Sequence, residues 1–103
     1  MTRFRLTPLA EDDLFDIWSY IASDNLNAAD QVEGAIYEAC AFLAEAPLRG
    51  HLRNDLTSLP LRFWTVQPYR NYLIVYDPSA RPLQIIRILH GARNVPMVLL
   101  KEE

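Results

Sequence analysis

The chain has 103 residues, half of them hydrophobic, and a formal net charge of −3, which fits one globular domain around one core. No apolar run approaches the roughly 20 residues of a membrane-spanning helix, and the N-terminus lacks the apolar stretch of a secretory signal peptide. The single cysteine, Cys40, permits no internal disulfide. We therefore predict one domain over residues 1–103, located in the cytoplasm and without a membrane partner.

The net charge conceals an uneven distribution along the chain. Residues 1–48 contain nine acidic residues and two arginines, a net charge of −7, whereas residues 49–103 carry a net charge of +4. All basic residues except Lys101 are arginines, whose guanidinium groups suit bidentate contacts with carboxylates and phosphates. Two interpretations stay open: an acidic helical face beside an ordinary basic sheet, or a basic surface that meets an anionic partner.

The first elements are a short strand and a helix. Residues 3–6 alternate polar and apolar side chains, which predicts a strand. Thr7 and Pro8 then suit the N-cap and the first helical position, and apolar residues recur at helical spacing as far as Ile21. The pattern predicts a helix that ends near residues 23–25.

A second helix is predicted to begin after Asn27, where Asp30 forms a carboxylate variant of the capping box. It is expected to end between Pro47 and Gly50. Many small residues along it would allow close approach to the first helix, which predicts a helical hairpin. Cys40 flanks the apolar stripe of this helix, so we expect a small buried side chain rather than a reactive thiol.

Residues 47–60 have no clean period and predict an ordered loop, followed by a candidate strand over residues 61–66. After Asn94, a last short helix is predicted through residues 97–100. The leucines expected to pin the loop to the core are Leu48, Leu52, Leu56 and Leu59.

The organising feature is a predicted antiparallel hairpin of residues 70–76 and 83–90. Both runs are rich in β-branched and aromatic residues and are bounded by turn residues. Residues 72–76 are apolar on both alternating faces, so this strand is expected in the middle of a sheet covered on both sides. The fold class predicted is α+β, with an N-terminal strand and a helical hairpin packed on an antiparallel sheet.

The sequence carries no phosphate-binding loop, dinucleotide fingerprint or zinc-type ligand spacing, so neither a metal nor a cofactor is predicted. Arg87 stands out because it lies inside an otherwise apolar strand and must be paired or reach solvent. Either it pairs with a carboxylate of the first helix, Asp13 or Asp16, or it joins a cluster that binds phosphate or an acidic partner. The members of that cluster would be Arg62, Arg70, Arg87, His90 and Arg93.

Four segments together resemble a known family. They are AEDDL followed by IWSYI (residues 10–14 and 17–21), PLRG (residues 47–50), YRNYLIVY (residues 69–76) and IRILHGAR (residues 86–93). In this order, over residues 3 to about 94, they resemble the ParE/RelE toxin superfamily and more specifically its ParE branch. The resemblance implies the α+β fold with a helical hairpin, a cytoplasmic toxin, and a cognate ParD-like antitoxin that neutralises it by direct binding.

The two branches of that superfamily differ in target. The resemblance to ParE implies inhibition of DNA gyrase, so the chain is expected to act as an inhibitor rather than as an enzyme, in a toxin–antitoxin hetero-oligomer. An antitoxin tail that folds on the toxin is expected to be acidic and partly apolar. The residues predicted to bind partners are Arg49, Arg53, Arg62, Arg70, Arg87, His90, Arg93, Met97 and Leu99.

Two alternatives stay open. The first is a RelE-like, ribosome-dependent mRNA endonuclease, in which Arg62 and Arg87 would bind the phosphate and His90 would transfer a proton. Gly91 and Ala92 follow His90 where a nuclease would use a second proton-transfer group, and this disfavours the endonuclease. The second alternative is a non-toxic binding module of the same fold.

Overall fold

Two helices and five strands form most of the part of the chain that the computed structural model describes, residues 3–91. A single turn of 3-10 helix, η1, follows the second α-helix. In chain order the elements are β1 (Phe4–Leu6), α1 (Pro8–Ala22), α2 (Leu26–Glu45), η1 (Pro47–Arg49), β2 (His51–Leu52), β3 (Arg62–Thr65), β4 (Tyr72–Asp77) and β5 (Leu83–His90).

The strands form one sheet in the order β1-β5-β4-β3-β2. The pairs β2–β3, β3–β4 and β4–β5 are antiparallel, whereas β1 runs parallel to β5. The predicted α+β fold is confirmed, with the difference that the sheet is mixed rather than wholly antiparallel. A parallel pair requires a long crossover connection, and here everything between β1 and β5 supplies it, which no local pattern in β1 could indicate.

The start of α1 is as predicted. Thr7 is the N-cap, its Oγ1 accepting a hydrogen bond from Ala10 N at 3.1 Å, and Pro8 occupies the first turn. The same hydroxyl donates to Ile86 O at 2.8 Å. One threonine therefore caps the helix and ties its first turn to β5.

The start of α2 differs from the prediction. The N-cap is Asn25 rather than Asn27, and Asn25 Oδ1 accepts from Ala28 N at 3.0 Å. Asn25 N also donates to Ile21 O at 2.8 Å, so the residue that caps α2 is also bonded to the last turn of α1. Both asparagines are good caps, and the short turn after Ala22 decides between them.

The core has one cluster on each face of the sheet. Both helices pack on one face, where Ile36 of α2 is fully buried with Ile74 and Tyr76 of β4. On the other face, Val75 and Phe63 are buried in a smaller cluster. The prediction that β4 is a central strand covered on both sides is confirmed.

The segment between α2 and β3 is more regular than predicted, since it contains η1 and the two-residue strand β2. Leu56 and Leu59 pack under the second cluster as expected. Leu48 and Leu52 do not pin the loop, because they are 69% and 53% exposed. Both residues of β2 are exposed, so no alternating pattern marked this strand.

Cys40 is fully buried in the core, as predicted. The predicted C-terminal helix lies outside the described residues, as do Arg93, Met97 and Leu99. Within residues 3–91, no helix combines the length and the apolar character needed to cross a membrane.

Candidate partner-binding surfaces

Arg87 is held inside the protein by Asp13. Its Nε donates to Asp13 Oδ2 at 2.6 Å and its Nη2 donates to Asp13 Oδ1 at 2.8 Å. Both residues are only 8% exposed. Of the two interpretations of Arg87, pairing with a carboxylate of α1 is therefore present in the structure, and a guanidinium presented to a partner is not.

The position of Asp13 follows from the open edge of β5. Because β1 pairs only with residues 83–85, the outer edge of β5 beyond them lacks a neighbouring strand. The Thr7 backbone N–H and side-chain hydroxyl bind the carbonyls of Ile85 and Ile86, and Asp13 Oδ2 then accepts from Ile88 N at 3.0 Å. The carboxylate thus replaces the missing strand and accepts Arg87 as well, which satisfies a buried backbone donor.

Arg62 also serves the fold. Its Nη1 donates to Gly50 O at 2.7 Å and lies 3.4 Å from Leu48 O. On the next strand, the Tyr76 hydroxyl donates to Pro47 O at 2.6 Å and accepts from Gly50 N at 2.8 Å. Arg62 and Tyr76, opposite each other on β3 and β4, therefore fix the η1 segment against the sheet.

The remaining predicted cations do not join Arg62 in one cluster. Arg53 forms a bidentate pair with the exposed Asp55, at 2.7 and 2.9 Å. Arg70 lies in the turn before β4 and donates to Gln67. His90 is opposite Tyr72, at the end of β4 away from Tyr76, which pairs with Arg62. The predicted basic residues are thus divided between the two ends of the sheet.

Four side chains that the basic-cluster prediction did not combine form a continuous row, here called the aromatic row: Arg49, Phe42, Trp64 and His51. The Arg49 guanidinium carbon lies 3.8 Å from the centroid of the Phe42 ring, a cation–π contact. The Phe42 and Trp64 rings are 5.5 Å apart, and the Trp64 and His51 rings stack at 6.5 Å. Arg49 Nη1 also donates to Phe42 O at 2.6 Å.

The aromatic row is accessible and has apolar neighbours. Phe42 is 41% exposed, and the exposed Leu48 and Leu52 belong to the η1 and β2 segments that carry Arg49 and His51. A hollow of about 310 Å³ opens between α2 and β3, with Phe42 and Trp64 in its wall. Exposed aromatic and aliphatic side chains beside an arginine are typical of protein-binding sites. Sequence reasoning missed the row because its members come from α2, η1, β2 and β3.

A second apolar surface, the helix-face groove, lies on α1 and α2 beside β1. Its wall includes Phe15, Trp18 and Tyr37, and Phe15 is 65% exposed. Burial raises the pKa of Tyr37, and the neighbouring Glu33 carboxylate adds to the increase. Glu11 and Glu33 both line this groove, so it has a rim of negative charge.

A third hollow, the α1 pocket, opens between α1 and the ends of β4 and β5, with a volume of about 430 Å³. Asp16 and Tyr20 of α1 form one wall, and Tyr72 and His90 of the sheet form the other. The Tyr72 and His90 rings meet edge to face at 5.6 Å. Burial raises the pKa of Tyr72, and the nearby Tyr20 phenol adds to the increase.

Among residues 3–91, no group of three or more His, Cys, Asp or Glu side chains is arranged to hold a metal ion. What these residues do offer is contact surfaces: an aromatic row that includes an arginine, an acidic groove and an aromatic pocket. Of the predicted site residues in this range, Arg62 and Arg87 are engaged internally, and Arg49 alone is part of an extended apolar surface.

Comparison with known proteins identifies the family of this chain. The family model described as the ParE toxin of the type II toxin–antitoxin system parDE matches residues 4–95. A solved structure of the chromosomal ParDE toxin–antitoxin system of P. aeruginosa is similar in fold, with a TM-score of 0.68 and 21% identity over 84% of this chain and 92% of that one. No curated protein sequence gives a significant match. The chain belongs to the ParE toxin family of type II toxin–antitoxin systems.

Proposed function

We propose that this ParE-type toxin inhibits DNA gyrase in the cytoplasm and that a cognate ParD-like antitoxin neutralises it by direct binding. The proposal rests on family membership, since the matching family model describes the toxin of parDE systems. The similar structure is likewise that of a ParDE system. Inhibition of an enzyme by a bound protein requires a contact surface and no proton-transfer chemistry.

The observation that carries the choice of gyrase over mRNA is the buried ion pair between Arg87 and Asp13. A nuclease site built on Arg62, Arg87 and His90 would need all three at one phosphate. Arg87 is occupied by a carboxylate, and Arg62 is bound to backbone carbonyls. The strand partners of Arg62 and His90 on β4 are four residues apart, about 13 Å along the strand.

The direct test is a gyrase supercoiling assay with the purified chain, run beside cleavage of an mRNA on programmed ribosomes. We expect the chain to reduce supercoiling and to leave the mRNA intact. Ribosome-dependent cleavage with unaffected supercoiling would contradict the proposal and favour the endonuclease. Inactivity in both assays, with folded protein, would favour the non-toxic binding module.

For the antitoxin we propose the aromatic row and its exposed neighbours Leu48 and Leu52 as the contact surface. Apolar area of this kind favours a partner that removes it from water. Arg49 within the row, whose Nη1 lies 3.9 Å from Glu45 Oε1, favours an acidic segment, because opposite charges on the two partners steer association. Such a segment would be partly apolar and would fold on binding. The same acidic segment would be repelled by the helix-face groove, where Glu11 and Glu33 lie.

Two substitutions at residues of similar exposure test whether the antitoxin binds at the aromatic row. Leu48→Glu adds a negative charge beside the aromatic row, and Phe15→Glu adds one in the helix-face groove. The two side chains are 69% and 65% exposed, so neither change empties the core. In a titration with the co-expressed antitoxin, we expect Leu48→Glu to weaken binding about tenfold or more, as truncation of a hot spot does. The reverse order of effects would place the antitoxin on the helices.

Arg93, Met97 and Leu99, outside the described residues, stay predicted partner-binding residues. We propose that they extend the contact with the antitoxin or gyrase in a hetero-oligomer. A chain that ends at Arg93 removes Met97 and Leu99 and keeps the arginine, so comparison with the full chain in both binding assays measures their contribution. Unchanged affinity for both partners would contradict this part of the proposal.

A further inference from the structure

The α1 pocket differs from the other surfaces because one stripe of α1 supplies most of one wall. Asp13, Asp16, Ile17 and Tyr20 all line it, and their spacing puts them on the same face of the helix. The opposite wall is the pair Tyr72 and His90, which are cross-strand neighbours on β4 and β5. The pocket is thus built on regular elements rather than on loops.

The charge of the pocket is negative. Asp13 lies at its inner end, where Arg87 balances the carboxylate. Asp16 is exposed at the pocket wall and makes no hydrogen bond or ion pair with any residue from 3 to 91. The net contribution of these three ionised side chains is therefore one negative charge, carried by Asp16. A ligand of complementary charge is a cation.

The walls specify which kind of cation fits. Tyr20 is 82% exposed at the rim, and Tyr72 is half-buried opposite it. Both line the same pocket, and the pKa of Tyr72 is raised by burial and, to a lesser extent, by the Tyr20 phenol. Aromatic faces attract cations, and arginine, which is planar, can stack on a ring while it binds a carboxylate at its edge. A carboxylate one helical turn from an exposed tyrosine offers both contacts.

We propose that the α1 pocket binds an arginine side chain of a protein partner. Asp16 accepts the guanidinium, Tyr20 and Tyr72 contact its flat face, and Ile17 packs against the methylene stem. A stem on apolar residues and a charged head at a polar rim is how arginine is usually buried. This site is separate from the aromatic row, and it does not depend on whether the partner is gyrase or the antitoxin.

The probe is N-acetyl-arginine amide, and the control is N-acetyl-citrulline amide, which has the same shape without the charge. Both are titrated into the full chain while the side-chain NMR signals of Tyr20, Tyr72 and His90 are followed. We expect saturable shifts with the arginine compound, with a millimolar Kd, because one exposed ion pair and one or two ring contacts contribute little each. The citrulline compound should leave the signals in place.

Four variants separate the proposed contacts from unspecific charge effects. Asp16→Asn should weaken arginine binding about three- to fivefold, whereas Asp12→Asn, an equal charge change on the exposed side of α1, should not. Tyr20→Leu should weaken arginine binding, whereas Tyr20→Phe, which keeps the ring, should bind arginine as wild type does. Equal binding of citrulline, equal effects of Asp16→Asn and Asp12→Asn, or no shift at all in the full chain would overturn the proposal.

Discussion

Asp13 and Arg87 are separated by 74 positions in the sequence and form a bidentate ion pair at the open edge of β5. The carboxylate also accepts from Ile88 N, so it accepts three hydrogen bonds from residues 87 and 88 together. This pair joins α1 to the last strand of the sheet. Because Arg87 is buried in this pair, it does not contribute to a contact surface. The choice of gyrase inhibition over RNA cleavage depends on that burial.

Removal of the Asp13 charge should destabilise the fold severely. Asp13→Asn leaves the Arg87 guanidinium buried without its counter-ion, and loss of one partner of a buried pair costs about 3–5 kcal/mol. Asp12→Asn, an exposed change on the same helix, should stay within about 0.5 kcal/mol of wild type. Urea unfolding of the two variants measures the difference, and similar midpoints would show that the pair contributes little.

Two glycine substitutions should have opposite effects. At Gly50 an added Cβ would overlap Tyr76 Oη and lie 2.7 Å from Tyr76 Cε1, whereas at Gly34 nothing lies within 4 Å. Gly50→Ala should therefore displace the η1 segment and destabilise the protein. Gly34→Ala, in the interior of α2, should stabilise it by about 0.5–1 kcal/mol. Thermal unfolding of both variants tests these two expectations. An unchanged melting temperature for Gly50→Ala would mean that the η1 segment moves away from Tyr76 without loss of stability.

Tyr76→Phe tests the other side of the same contact. The phenylalanine keeps the ring in the core but leaves Gly50 N and Pro47 O without their shared partner. A loss of about 1–3 kcal/mol is expected for unsatisfied buried groups. Hydrogen exchange at Gly50 should accelerate more than exchange at Ile74, which stays within the sheet. A uniform acceleration would contradict a local role for the hydroxyl.

Apart from Phe42 and the residues of α1 that line the α1 pocket, the helical hairpin should serve structure alone. Ile36→Ala empties a fully buried position and should cost about 2–5 kcal/mol. Asp12→Asn and Glu33→Gln change only charge on the helices and should leave toxicity unchanged. Loss of toxicity in Glu33→Gln with an intact fold would assign the helix-face groove a functional contact.

Cys40 should resist alkylation in the folded protein. Burial raises the pKa of its thiol to about 12, so the reactive thiolate is scarce at pH 8. Because the folded state retains this proton between about pH 9 and pH 12 while the unfolded thiol loses it, stability should fall as the pH rises through that range. Mass spectrometry after iodoacetamide treatment checks the first point. Rapid labelling of the native protein at pH 8 would contradict burial.

Local chemistry predicted the elements well and their long-range partners less well. The Thr7-Pro8 cap and the two-sided apolar strand β4 are encoded in a few adjacent residues, and both are present. The choice of Asn25 over Asn27 depends on a bond from Asn25 to α1. The choice of Asp13 over Asp16 as partner of Arg87 depends on where the pairing of β1 with β5 ends. The residues around Asp13 and Asp16 do not indicate that position.

The candidate surfaces were the least predictable part. Arginine content suggested one basic cluster, but Arg62 and Arg87 satisfy groups within the fold instead. The aromatic row joins side chains from four elements, and its members show no common period. Phe42 lies on α2, and only its packing against Trp64 puts it in the row.

The central claim is that the chain inhibits DNA gyrase and does not cleave RNA. The most direct test is growth inhibition by wild type and by His90→Ala, with plasmid supercoiling and transcript integrity followed in the same cells. We predict disturbed supercoiling and DNA damage with intact transcripts, and an effect that survives in part in His90→Ala. Cleaved transcripts with normal supercoiling, abolished by His90→Ala through a loss of about 10²–10⁴ in rate as for a general acid or base, would contradict the account.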